Sequence, residues 1–157
     1  MSELTLGGIA APQRAYQSVT VHLIADSTGD TGARVARAVD AQFPNLDVFV
    51  RRHPRVQNKH DVDAAMAEVA EDGDKAVVFM SLVKVGLRDR VLEECSRLGV
   101  PAADLMAPAL DAVTARTGQQ PKRQVQPVGL AADYFERIHA MEFAIANDDG
   151  NLTDSLS

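Results

Sequence analysis

The run VTVHLIAD, Val19 to Asp26, constrains the fold more than any other stretch of the chain. It is β-branched and mostly apolar with no polar alternation, the pattern of a strand buried on both faces. A second such run, KAVVFMSL from Lys75 to Leu82, follows about fifty residues later. A strand covered on both faces needs a layer on each side, and the segments between these runs carry helical periods. The pattern predicts an α/β domain: a small parallel sheet of about four strands with helices on both faces, a Rossmann-like or flavodoxin-like three-layer arrangement.

The rest of the chain fills in that alternation. GARVARAVDAQF, Gly32 to Phe43, places Val35 and Val39 at helical spacing before Pro44 ends it. LDVFVRR, Leu46 to Arg52, reads as a strand in which Leu46, Val48 and Val50 alternate with Asp47, Phe49 and Arg51. HDVDAAMAEVAEDG sets Val62, Met66 and Val69 on one stripe, with Gly73 as its stop. LRDRVLEECSRLG does the same with Leu87, Val91, Cys95 and Leu98, closed by Gly99. VPAADLM is a weak fourth strand, and PALDAVTARTG a short helix between Pro108 and Gly118. ADYFERIHAMEFAIANDDG predicts a last helix on Tyr134, Ile138, Met141 and Ile145. Residues 1–18 read as a flexible extension, 19–150 as one domain and 151–157 as a frayed tail.

Composition narrows the function classes. A chain of 157 residues buries about 68–70% of its unfolded surface, enough for a core without staples. The net charge of −6 argues against a nucleic-acid binder, which leans on a basic surface. One cysteine, Cys95, excludes an internal disulfide, and its place on an apolar stripe makes it core packing. No apolar run approaches the ~18–20 residues of a membrane span, so a cytoplasmic protein is expected.

The chemistry concentrates at IADSTGDTG, Ile24 to Gly32, where a strand gives way to a helix. Ligands of parallel sheets bind beyond the carboxyl ends of the strands. Ser27, Thr28 and Thr31 supply hydroxyls there, Gly29 and Gly32 admit close backbone approach, and the helix start offers free N–H groups to an anion. The same N–H groups also suit a plain helix cap by Ser27 or Asp30, with Asp26 bracing the turn. Asp30-Thr31-Gly32 matches the aspartic-protease triplet only by accident, because that chemistry needs paired aspartates in an all-β frame. No Gly-Lys pair occurs, so a P-loop is missing from these residues.

Two further groups are candidates. Arg51, Arg52 and Arg55 lie in the basic run RRHPRVQNKH, which reads as a solvated face or as a contact with another domain or partner. His53 and His60 lack the cysteines or spaced carboxylates of a metal site, and none is expected. Asp148 and Asp149 end a helix against its dipole, which suits a turn into a following segment or a site completed by other residues, including contacts with another domain or partner.

IADSTGDTGARVARAVDAQFP and YFERIHAMEFAIANDDG together resemble the pyruvate, phosphate dikinase and phosphoenolpyruvate synthase regulatory proteins. VRRHPRV, VVFMSLV and LRDRVLEECSRLGVPAADLMAPALDAV are similar to that family's middle in the same order, so the resemblance spans about residues 19–150. It implies a bifunctional serine/threonine kinase and phosphorylase. One direction phosphorylates a target threonine with ADP as donor, and the other removes the group with inorganic phosphate and releases pyrophosphate. In the family the catalytic P-loop lies in the C-terminal half, so this chain corresponds to the N-terminal domain and is expected to be inactive by itself. The implied partner is one of the two target enzymes, with a homodimer as a further possibility. A binding or oligomerisation module, or a freestanding phosphate- or nucleotide-binding domain, are the alternatives. Ala25 stands where the family has a small hydroxyl residue, VKVGLR replaces an acidic stretch, and QPVGLAADYF is short and lacks a histidine.

Overall fold

The structure is a computed structural model and describes residues 17–125. Along the chain run β1 (Gln17–Ala25), α1 (Asp30–Asp40), β2 (Leu46–His53) and α2 (Lys59–Asp72). A single 3₁₀ turn over Gly73–Lys75 leads into β3 (Ala76–Ser81), α3 (Val85–Leu98), β4 (Ala102–Asp104) and α4 (Ala107–Thr117). The strands form one parallel sheet in the order β2-β1-β3-β4. The expected alternation stands through residue 125. The helix expected over 132–150, Asp148, Asp149 and the two terminal segments lie outside the described residues, except that β1 begins at Gln17, inside the expected extension.

The core forms because β1 and β3 have apolar side chains on both faces. Ile24, Val78 and Met80 point to the face covered by α2 and α3, where they meet Val62, Met66, Val69, Val91 and Cys95. Val21, Leu23 and Phe79 point the other way, toward Ala36 of α1. Right-handed crossovers require this division, because the chain moves one way from β1 to β2 and the opposite way afterwards. Gly32 lets α1 close on β1: a Cβ there would stand 3.1 Å from Leu23 Cδ2.

Helix ends follow local chemistry. Asn58 caps α2 by accepting from the Asp61 N–H at 2.9 Å. Gly99 and Gly118 end α3 and α4 in the left-handed region at φ 70° and 75°, where a Cβ is unfavourable. The expected stripe of Leu87, Val91, Cys95 and Leu98 faces the core, and burial pushes the Cys95 thiol up to about 11. In β2 the alternation buries only partly. Val48 packs on the α1 side, whereas Val50 is 45% and Phe49 57% exposed, because this strand is an edge.

Met80 is fully buried at the centre of the sheet. Met80→Ala is expected to lower the unfolding free energy by about 2–5 kcal/mol. Val113→Ala, on the exposed side of α4, should change it by no more than about 0.5 kcal/mol. Urea denaturation of the two variants measures both.

Candidate functional site at the carboxyl edge of the sheet

The order β2-β1-β3-β4 puts a topological switch between β1 and β3, whose following helices leave on opposite faces. Such a switch opens a crevice beyond the strand ends. The Asp26 carboxylate crosses it, accepting the Val83 N–H at 2.8 Å, and so ties the loop after β1 to the loop after β3. Among the described residues the Asp26 carboxylate thus braces the neighbouring loop, where its own turn was expected.

The head of α1 differs from the expected cap. Gly29 is the N-cap residue at φ 89°, and no side chain caps the helix. Neither Ser27 nor Asp30 fills that role. Asp30 is turned to Arg52, which donates to Asp30 Oδ1 at 3.1 Å and to the Thr28 carbonyl at 3.3 Å. This pairing holds the Asp30 carboxyl below its usual range, with Thr28 Oγ1 assisting. A side chain would be strained at φ 89°, so glycine is what permits the turn. Thr28 Oγ1 accepts weakly from the Asp30 N–H at 3.4 Å. Among the described residues, the N–H groups of Ser27, Thr28, Gly29, Thr31 and Gly32 meet no acceptor. The hydroxyls of Ser27 and Thr31 are equally uncommitted there, so the loop presents donors and a helix N-terminus together.

The basic run is drawn to this loop through its backbone. The Arg55 N–H donates to the Ser27 carbonyl at 2.9 Å, and the Val56 N–H to the Ala25 carbonyl at 2.9 Å. Arg55 sits at φ 56°, and Arg123, the other non-glycine residue with positive φ among those described, sits at 63°. Arg123 reaches the Val83 carbonyl at 3.4 Å, so both left-handed arginines border the switch crevice. Strained backbone of this kind collects at ligand sites. Sequence spacing gave no sign of Arg123, whose place depends on a contact across forty residues. Arg51 points to the opposite face and pairs with Glu68 of α2, away from the loop. Arg52 and Arg55 are thus gathered at the candidate site and Arg51 is not.

A second polar group escaped the sequence reading altogether. His22 is fully buried in the central strand. Its Nε2 lies 2.6 Å from Asp72 Oδ2 and its Nδ1 lies 2.9 Å from His53 Nε2. A carboxylate only accepts, so His22 donates to Asp72 from Nε2, while one proton lies between His22 Nδ1 and His53 Nε2. Burial, reinforced by the neighbouring His22 and by Arg51 and opposed by Glu68, lowers the His53 pKa below its ordinary value. The signal available in the sequence was one histidine inside an apolar run, and its partners lie thirty-one and fifty residues away. Among the described residues no cluster of three or more His, Cys, Asp or Glu is placed to hold a metal ion.

Comparison with known proteins gives one consistent result. The family model described as kinase/pyrophosphorylase matches residues 21–157. A protein of Cutibacterium acnes named as a pyruvate, phosphate dikinase regulatory protein is 39% identical over 91% of this chain and 50% of its own length. Proteins of the same name from Alkaliphilus metalliredigens and Caulobacter vibrioides are 30% and 34% identical over 90% and 93% of this chain. The chain spans about half the length of these relatives.

Removing the Asp72 carboxylate leaves His22 Nε2 buried without its partner. Asp72→Ala is expected to cost about 1–3 kcal/mol in urea denaturation, more than His22→Leu, which removes the polar group itself. The pH dependence follows from His53. With its folded pKa below the unfolded value of 6.5, the unfolded chain takes up the proton first. Stability is then fully present above pH 6.5 and declines as pH falls below it. Melting curves between about pH 7.5 and 5.5 should show this decline, with a shallower slope in His53→Gln.

Proposed function

The chain belongs to the kinase/pyrophosphorylase family, and from that premise we propose that it is the N-terminal domain of a regulatory serine/threonine kinase and phosphorylase. Its target is pyruvate, phosphate dikinase, the enzyme in its relatives' names, or phosphoenolpyruvate synthase, which the sequence resemblance adds. The work of this domain is to hold a phosphate group of ADP, or inorganic phosphate, on the loop Ser27–Gly32. The observation that carries this reading is the set of free donors on that loop at the switch crevice, with Arg52 and Arg55 drawn alongside.

The division of labour follows from the residues. Backbone N–H groups and hydroxyls orient an anion, and arginines neutralise it. Transfer of a phosphoryl group also needs a lysine or metal at the leaving oxygens, and in P-loop enzymes the Gly-Lys step supplies the lysine. That pair is absent from these 157 residues. Phosphoryl transfer therefore falls to the P-loop half of the family's longer proteins, and this domain has no turnover of its own. The cytoplasm is the compartment in which such a regulator meets its target.

Ser27 and Thr31 changed together to Ala, in the protein that also carries the P-loop domain, should slow both phosphorylation and dephosphorylation by tenfold or more, about 1.4 kcal/mol of transition-state stabilisation. Assays of both directions with the dikinase measure this. Unchanged rates in both would remove the loop from the reaction. Isothermal titration of phosphate, ADP and AMP into the 157-residue chain separates a domain that binds anions by itself from one that needs its other half.

A further inference from the structure

We propose that Arg52 is a shared cation: Asp30 competes for it with the anion on the loop, and the anion that wins is a terminal, doubly charged phosphate rather than a diester. This rests on Ser27–Gly32 being a phosphate loop and adds the class of phosphate that the loop accepts.

Arg52 lies across the loop as a strap. It leaves β2 opposite Leu23, and its stem passes over Gly29, where a Cβ would stand 3.7 Å from Arg52 Cδ and 4.0 Å from Cγ. Its guanidinium then donates to the Thr28 carbonyl at 3.3 Å and to Asp30 Oδ1 at 3.1 Å. Asp30 is the first residue of α1, so its carboxylate sits at the positive end of that helix. A carboxylate held by an arginine at a helix start uses the same chemistry as a phosphate bound there. Asp26, the other acid of the loop, is committed to the Val83 N–H and leaves Arg52 to Asp30.

Exposure makes the pair easy to exchange. The two side chains are 47% and 71% exposed, and an ion pair so placed is weak. An anion that takes Arg52 must still gain more than Asp30 gives up. A diester, or the inner phosphate of a nucleoside diphosphate, carries a single charge, so on that count it only replaces one carboxylate with another. A terminal phosphate carries about −1.5 to −2 at pH 7 and three strong acceptor oxygens. Its attraction to Arg52 is roughly doubled at the same distance, and its oxygens answer the uncommitted N–H groups of the loop. Asp30, once released, turns into solvent, where its repulsion is screened. Of a nucleoside diphosphate, the loop therefore takes the outer phosphate.

Amide chemical shifts of Gly29 and Gly32 report binding as inorganic phosphate or dimethyl phosphate is titrated into the 157-residue chain at about pH 8. Inorganic phosphate should bind about tenfold or more tightly than dimethyl phosphate. Asp30→Asn should tighten both anions alike, by about two- to fivefold, the scale of an exposed ion pair. Arg52→Gln should cut the preference for inorganic phosphate at least about threefold, because the doubly charged anion loses more with the cation. In that background Asp30→Asn should change either affinity by less than about 1.5-fold, since no shared cation is left to compete for. Equal affinities of the native chain for the two anions would overturn the proposal. So would the same gain from Asp30→Asn with and without Arg52. If neither anion moves the glycine amides of the native chain or of Asp30→Asn, the phosphate reading of the loop itself fails, and this one with it.

Discussion

Burial of β1 on both faces is the constraint from which the rest of the molecule follows. Val21 through Ala25 are all enclosed, and a strand in that position must have helices above and below it. One helix reaches one face only if the chain leaves β1 in one direction, and the other face is covered only if it later returns in the opposite direction. The resulting order, β2-β1-β3-β4, opens the crevice between β1 and β3 as a geometric by-product of covering the core. The candidate site is placed by the same requirement that holds the fold together, and Asp26 fastens its two sides.

His22 shows how a core of this kind accommodates a polar group. Each of its ring nitrogens has a partner, so the desolvation cost of the imidazole is offset by two hydrogen bonds, one of them to a carboxylate. Those partners come from the last residue of α2 and the last residue of β2. The histidine consequently fixes how far α2 runs before it turns into β3, and where β2 ends beside the loop. A leucine in its place would pack but would specify neither.

What could be read from the sequence was whatever depends on near neighbours. Continuous apolar runs marked β1 and β3, and periodic stripes marked α2 and α3 to within two residues at each end. Gly73, Gly99 and Gly118 stood at the helix ends where they were expected, since a left-handed or turn conformation is a local demand. The start of α1 was misread in detail because Ser27 and Asp30 both have capping chemistry. Only the approach of Arg52 from another strand decides that Asp30 turns away and Gly29 takes the position. The exposure of Phe49, the His22 relay and the left-handed arginines were equally out of reach. Each depends on which strand lies beside which, and spacing along one chain does not contain that information.

The two backbone bonds from Arg55 and Val56 to Ser27 and Ala25 join the segment after β2 to the end of β1 and the loop that follows it. The Asn58 cap of α2 follows directly behind them. The loop after β1 is thereby tied to a fourteen-residue helix whose far end is Asp72, the carboxylate partner of His22.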